Sequence, residues 1–467
     1  MITRLQISGF KNLHDVELRL GPFTCIAGLN GVGKSNVFDA IRFLSLLAKH
    51  PITEAVQLLR ETKGRTADPR SLFTAFGDYR AEEMRFSADL ILRREVEDDF
   101  GVSSSAAIST VRYTVAFRVN QDEKPDRLEL VEEKLLPIAQ EQARRSLGFK
   151  ASPAFKRSAV SGRRAVEFIS TIQGAKGPQI KVRQEGHGGR LVPAPKSSRT
   201  VLGGLASSDF PTLLATHREM ESWQTLLLEP TAMRAPADYH DARVVNPRGG
   251  NLPAAIERLR RQESRPGQVY AQIGNRLAEL LDDVEDLRVV DDEKTETLTL
   301  EVQNRGGVFH AARSLSDGTL RFLVLATLAI DPEATGVICL EEPENGIHPQ
   351  RVEAMVALLR DIAVDPDHAA GPDNPLRQVL VNTHSPLVVQ HISADDIVYL
   401  ETEKIVIGGQ SAEVATTRVP SHSWRAAVQK GAPPILPGHL LPYFKLTAGS
   451  KTPEQLWLPF ETGVRTK

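Results

Sequence analysis

The hydrophobic positions of this chain change period several times, and each change predicts an element. Met1-Ile-Thr-Arg-Leu-Gln-Ile-Ser alternates apolar with polar, as a half-buried strand does. Phe23-Thr-Cys-Ile-Ala27 is an apolar run that predicts a buried strand, and residues 36–47 are amphipathic at helical spacing. Two alternating runs, Met84 to Arg93 and Thr110 to Val119, predict an antiparallel pair, and residues 128–136 offer a third strand. Helical spacing returns over 212–228 and 252–281, separated by a turn-rich connector, and residues 287–302 read as strands. An apolar helix over 320–330 then precedes two apolar strands, Gly336-Val-Ile-Cys-Leu340 and Val379-Leu-Val. No repeat and no long heptad array interrupts this order, so no long coiled coil is predicted.

The chemistry sits at the ends of the apolar strands. Gly28-Leu-Asn30-Gly31-Val32-Gly33-Lys34-Ser35 fits G-x-x-x-x-G-K-[ST] in full and lies between a buried strand and a helix. Loop amides and a helix N-terminus cradle phosphate there, Lys34 adds charge at the terminal phosphates, and Ser35 offers a hydroxyl to Mg²⁺. Asn30, Gly31, Val32, Gly33, Lys34, Ser35 and Asn36 are therefore the residues expected to bind a nucleoside triphosphate. Leu340 runs into Glu341-Glu342-Pro343. Glu341 is expected to hold the metal with Ser35, and Glu342 to polarise the attacking water. Leu315-Ser316-Asp-Gly318-Thr before the 320–330 helix makes a second anion-binding device, through Ser316 and Gly318. One γ-phosphate does not readily use two such devices, so this one is expected to act on the nucleotide of a second copy. Val379-Leu-Val-Asn-Thr383-His384-Ser ends a further strand on a histidine placed to sense the γ-phosphate.

Composition changes this picture little. The net charge is −2 and 41% of residues are hydrophobic. The only cysteines, Cys25 and Cys339, fall in predicted buried strands, so neither a disulfide framework nor a zinc site is expected. No signal-peptide core and no apolar stretch long enough for a membrane helix is present, and a cytoplasmic location without membrane partner is expected. Charge is uneven, however. Residues 144–199 hold thirteen Lys/Arg against Glu167 and Glu185, with much Gly, Ser and Pro. They predict a partly mobile basic insertion, either a surface for DNA, RNA or an acidic partner or simply a solvated loop. Only Phe149, Phe155 and Phe168 lie among these charges.

Phosphate loop, signature, twin glutamates and switch histidine, in that order, resemble the ATP-binding-cassette class of ATPases. The opening Ile7-Ser-Gly-Phe10-Lys11-Asn12 and the run Glu341-Glu-Pro-Glu-Asn345-Gly-Ile-His348-Pro resemble its soluble RecF/SMC-like branch, and within it the OLD-type and anti-phage-defence ATPases. The resemblance implies an α/β fold: an ABC ATPase head, a mixed sheet plus a phosphate-loop core sheet, with an inserted α+β lobe. It implies a head-to-tail homodimer enclosing two ATP molecules, and a Lys11 that reaches the nucleotide. Glu341 stands where many cassettes carry Asp, and no glutamine-loop residue is evident. The expected organisation is a core of 1–47 plus 305–400, an antiparallel β lobe at 48–140, the basic insertion at 141–200, a helical lobe at 201–304 and a C-terminal docking tail at 401–467. Only 83 residues follow His384, with no clustered acids beyond Asp395-Asp396, so a nuclease within this chain is not expected. The functional expectation is a slow ATPase that dimerises around ATP and controls a separately encoded effector, a nuclease or toxin, in anti-phage defence or DNA transactions. A non-catalytic ATP-dependent scaffold and a DNA-stimulated repair ATPase are the alternatives. The signature motif, and the lack of a guanine-reading N-K-x-D, argue against a kinase or simple GTPase.

Overall fold

The structure is a computed structural model that describes residues 1–60, 68–120, 126–175, 177–183, 189–265, 267–278, 284–407, 409–429 and 431–435. Two large sheets dominate this mixed α/β architecture. The core sheet has six strands: β3 (Phe23–Ala27), β10 (Gln224–Leu226), β13 (Gly336–Glu341), β14 (Arg377–Thr383), β15 (Ile397–Ile407) and β16 (Gln410–Arg418). Their spatial order is β10-β13-β14-β3-β15-β16, parallel throughout except for the terminal β15–β16 hairpin. Parallel strands need both faces covered, and the side chains divide accordingly. Ile26, Cys339, Leu380 and Val398 face one core, built with helix α1 (Lys34–Lys49) and the large antiparallel sheet. Cys25, Ala27, Ile338, Leu340 and Val381 face the other, built with helices α6 (Leu252–Gln262), α7 (Gln268–Ala278), α8 (Asp317–Ile330) and α9 (Val352–Ile362). Burial pushes the thiols of both cysteines upward.

The large sheet is antiparallel and eight-stranded. Its strands are β1 (Ile2–Phe10), β2 (Leu13–Arg19), β4 (Met84–Ile91), β5 (Thr110–Asn120), β6 (Arg127–Pro137), β7 (Ile169–Gly174), β8 (Gly177–Arg183) and β9 (Gly189–Pro193). They run in the order β9-β8-β7-β6-β5-β4-β1-β2. A smaller sheet carries β11 (Val284–Asp292) and β12 (Thr297–Asn304) beside α6 and α7. Among the described residues, no helix is long and apolar enough to cross a membrane.

The sheets redraw the divisions expected from sequence. The first two strands, assigned to the ATPase core, pair with β4 in the large sheet instead. They are tied to the core sheet by Gln378 of β14, a fully buried amide. It accepts from the Ile2 N–H at 2.8 Å and donates to the Ile2 and Gly21 carbonyls at 2.7 and 2.8 Å. Within 141–200, where a basic hairpin or loop is predicted, α2 (Gln140–Ser146) and α3 (Pro153–Ala159) precede the antiparallel strands β7–β9, which complete the large sheet. Lys176 and residues 184–188 of that segment lie outside the described residues. Helix α5 (Pro211–Glu221) ends before the predicted 228, and β10 follows, its Leu226 opposite Leu340 on the edge of the core sheet. Helical spacing cannot register this, because the edge of a neighbouring strand supplies the hydrogen bonds. The predicted 252–281 helix is likewise two helices. The expected docking tail is part of the core as far as it is described: β15 and β16 extend the sheet. Beyond them Arg425 is fully buried, donating to the Arg19 carbonyl at 2.7 Å and the Thr24 hydroxyl at 2.9 Å. Desolvation lowers its guanidinium to about 10. Residues 436–467 of that tail lie outside the described residues.

A second polar bolt joins the large sheet to α1. Glu133 of β6 is fully buried and accepts from the Val201 and Leu202 amides at 2.6 and 2.9 Å and from the Tyr113 hydroxyl at 3.1 Å. Those amides open helix α4 (Val201–Gly204), which packs on α1. Burial nevertheless pushes the carboxyl up to about 7. A carboxyl raised on folding costs stability as pH climbs from its unfolded value near 4.5 through 7, by about 3 kcal/mol at ~1.36 kcal/mol per unit. The Glu133→Gln protein is therefore expected to lose about 1–3 kcal/mol at pH 5, where one buried amide donor loses its acceptor. Its stability is also expected to be flatter between pH 5 and 8. Urea unfolding across that range measures both, and an unchanged pH slope would refute this role.

Candidate functional site

Three adjacent parallel strands bring the predicted chemistry to one edge. Ala27 of β3 lies opposite Thr383 of β14, and Asn382 lies opposite Glu341 of β13. The phosphate loop, the glutamate pair and His384 therefore all leave the C-terminal ends of neighbouring strands, where open α/β sheets bind ligands.

The loop's shape follows from its glycines. Gly31 and Gly33 take φ of +83° and +111°. Added to Gly28, a Cβ would lie 2.4 Å from the Leu400 carbonyl oxygen, and at Gly33 it would lie 2.6 Å from Asn12 Oδ1. Asn12 braces the loop: its Nδ2 donates to the Val32 carbonyl at 3.1 Å, and its Oδ1 accepts from Asn36 Nδ2 at 2.8 Å. Helix α1 begins at Lys34 with no acid in its first turn, so its N-terminal field is uncancelled. Leu29, Asn30, Gly31 and Ser35 are exposed along the loop, whereas Val32, Gly33 and Lys34 are buried.

Lys34 Nζ donates to the Gly28 and Leu29 carbonyls at 2.8 Å each, curling into its own loop. Desolvation lowers its ammonium, and the carboxylates Glu342, Glu344 and Glu341 oppose that shift. Ser35 Oγ lies 3.4 Å from Glu341 Oε2. Burial and the nearby Asp39 raise the Glu341 carboxyl, so this group gains from a cation. A hydroxyl and a carboxylate beside a phosphate loop form the hard-oxygen donor set that suits Mg²⁺ brought in with phosphates, and the residues fit that ion.

Glu342 takes φ of +44°, a left-handed conformation costly for a residue with a side chain. Its N–H is shared between the carbonyl and side-chain oxygens of Asn382, both at 3.1 Å. Its carboxylate accepts from Asn345 Nδ2 at 2.9 Å and meets His384 Nδ1 at 2.7 Å. Burial alone would raise this carboxyl, but Asn345, His384 and Lys34 outweigh it, and its pKa falls below the ordinary value. Glu344 differs: burial raises it, Thr383 Oγ1 donates to one of its oxygens, and the other is buried without a partner among the described residues.

The signature residues stand apart. Ser316 Oγ caps α8, accepting from the Thr319 N–H at 3.1 Å. Gly318 lies beside Gly346, whose carbonyl oxygen would be 3.1 Å from an added Cβ. Arg234 holds the motif through Asp317 and the Leu315 carbonyl. No hydrogen bond or ion pair joins Ser316 to Lys34, Ser35, Glu342 or His384, and Ser316 is exposed. Lys11 sits in a tight turn at φ +51°, paired with Asp39 of α1; reaching a nucleotide would require that pair to open. Gln224 pairs with Ile338 in the middle of the glutamate strand.

Sequence reasoning gave no role to Asn12, Asn345, Glu344, Thr383 and Asn382. All five lie within or beside the quoted motifs, and their polar side chains next to glycine or proline turns were the available signal.

A family model described as "AAA domain, putative AbiEii toxin, Type IV TA system" matches residues 216–390, and a second, described as "AAA domain", matches residues 4–69. The DNA replication and repair protein RecF of Paenarthrobacter aurescens is 37% identical over 60 residues, 13% of this chain and 15% of that protein. The OLD nuclease of Thermus scotoductus is 49% identical over 41 residues, 9% of this chain and 8% of that protein. The matched segments are thus a small part of either relative. Among solved structures, an Smc head bound to the C-terminal winged-helix domain of ScpA aligns with 89% of this chain and 97% of its own, at 13% identity and a TM-score of 0.44. The Smc head of Thermotoga maritima aligns with 88% of this chain and 98% of its own, at 12% identity and a TM-score of 0.36.

Proposed function

We propose that this chain, which belongs to the ABC-class ATPases of the RecF/SMC/OLD-like branch, hydrolyses ATP slowly while closing head-to-tail on a second copy of itself. The observation that carries this reading is the split of the motifs. Lys34, Ser35, Glu341, Glu342 and His384 converge at one sheet edge, while Ser316 and Gly318 sit on a separate helix terminus with no hydrogen bond or ion pair to them among the described residues.

In this reading Lys34 leaves the Gly28 and Leu29 carbonyls for the terminal phosphates, and the loop amides and the N-terminus of α1 hold the others. Ser35 and Glu341 would hold a Mg²⁺ ion, which would supply positive charge beside the terminal phosphates. Glu342, kept ionised by Asn345 and His384, orients and deprotonates the attacking water. His384, already against that carboxylate, is positioned to bond the γ-phosphate and so to report its presence. Ser316 and the amides opening α8 complete the site from the opposing copy. Closure and reopening then control a separately encoded effector, a nuclease or toxin. The matched family's description, which names a putative toxin, and the RecF relative's name, which specifies DNA replication and repair, support a setting in defence or DNA repair.

Sedimentation velocity of the Glu342→Gln protein tests dimerisation, because slowed hydrolysis holds the closed state. With ATP and Mg²⁺ the mass is expected to double. Ser316→Arg in the same background is expected to stay monomeric while binding ATP undiminished. A Glu342→Gln protein that stays monomeric with ATP and Mg²⁺ would sink the dimer reading.

A further inference from the structure

The segment richest in basic residues folds so that four arginines from two separate stretches share one concavity of about 670 Å³. Arg144 and Arg145 come from helix α2, and Arg163 and Arg164 from the extended stretch before β7. One contact joins the two stretches directly, and two more tie the second stretch to Ile108 and Ser109. Gly162 forms an antiparallel bridge with Ile108, where an added Cβ would lie 2.1 Å from the Ala107 carbonyl oxygen. Gln140, the first residue of α2, donates from Nε2 to the Gly162 carbonyl at 2.7 Å. Ser109 accepts from the Ser161 N–H at 2.8 Å. The convergence is therefore fixed by a backbone bridge and by two side-chain bonds to the backbone.

Arg144, Arg145 and Arg163 are little engaged internally. Arg145 pairs with Glu141, but both side chains are more than three-quarters exposed, and such pairs contribute little. Arg164 is pre-set: its guanidinium stacks over Phe168 at 4.5 Å from the ring centroid, and its Nε donates to the Val166 carbonyl. Arg144 and Arg163 make no hydrogen bond or ion pair among the described residues. With Glu141 the only acid in the lining, the concavity holds a net of three positive charges. Planar guanidinium forks match phosphate oxygens bidentately, and several converging on one hollow suit neighbouring phosphate groups better than a single anion.

We infer that this concavity is a second phosphate-binding site, separate from the phosphate loop, for a ligand carrying consecutive phosphates. The backbone of a nucleic-acid strand and a free polyphosphate share that chemistry. The inference does not depend on hydrolysis or dimerisation.

The test uses the full chain in a Lys34→Ala background, so that the phosphate loop does not take up the probes. A fluorescein-labelled oligothymidylate is titrated by anisotropy at low and moderate salt, and tripolyphosphate is titrated by calorimetry. Arg144→Glu/Arg163→Glu is expected to weaken binding roughly tenfold to a hundredfold. For the strand, it is also expected to flatten the logarithmic salt slope by about 1.4. Arg157→Glu, another exposed charge of the same segment outside the concavity, is expected to change affinity less than threefold. ATP turnover of the double variant with Lys34 restored serves as the folding control and is expected to match wild type. Tight oligothymidylate binding with weak tripolyphosphate binding identifies a strand as the ligand, and the reverse identifies a free polyphosphate. Failure to bind either probe, or equal losses in the Arg157 and double variants, would overturn the inference.

Discussion

Glu342→Gln is expected to lower ATP turnover about a hundredfold or more while leaving ATP affinity within threefold of wild type. General-base assistance is worth roughly 10²–10⁴ in rate, or about 3–5 kcal/mol at ~1.36 kcal/mol per decade. The substitution isolates that contribution. Glutamine has the same length, so the +44° backbone at this position is strained equally in both proteins. Its amide still reaches Asn345 and His384, the two partners of the carboxylate. What it lacks is a lone pair basic enough to take a proton. Single-turnover hydrolysis with nucleotide affinity measured in parallel separates the two effects. Turnover within threefold of wild type would remove Glu342 from the chemistry and favour an ATP-dependent scaffold.

Lys34→Ala is expected to lower ATP affinity by roughly tenfold to a thousandfold. Hydrogen bonds from a charged group are worth about 1.5–3 kcal/mol each, and this ammonium already makes two in the loop, to Gly28 and Leu29. Removing it has a second consequence. Lys34 is the cation among Glu341, Glu342 and Glu344, whose charges act on it. Burial holds the carboxyls of Glu341 and Glu344 above their ordinary values even with Lys34 present. Without it those carboxyls rise further, and a raised carboxyl costs stability as pH climbs through its folded value. The variant's melting temperature, relative to wild type, is therefore expected to fall more at pH 7.5 than at pH 5. Calorimetric ATP titration and thermal scans at both pH values check this. Affinity within threefold of wild type would contradict the phosphate role.

The two arrangements differ in how far they could be read along the chain. The phosphate loop, the glutamate pair, the signature and the histidine were each legible, because each is a contiguous run whose chemistry and strand or helix terminus occur together. Their meeting at one edge was foreseen only through order and resemblance. The register that aligns Ala27 with Thr383 and Asn382 with Glu341 belongs to the folded sheet. The supporting shell was less visible. Asn12 and Asn382 act on residues far along the chain, and a single asparagine carries no periodicity to announce a partner.

The divisions of the chain show the same limit. Alternation in residues 1–19 announces strands but not neighbours: the place of β1 and β2 in the large sheet follows from pairing with β4, and their tie to the core sheet from the buried amide of Gln378. Basic residues over 144–199 were countable, yet the hollow shared by Arg144 and Arg163 depends on a glycine bridge to Ile108. Local patterns of hydrophobicity, glycine and charge thus settle which elements form and which carry phosphate chemistry, since those depend on neighbours a few residues away. Which strands share a sheet, which polar groups become buried bolts and which charges meet are settled by contacts between distant segments, whose energies appear only once the backbone closes.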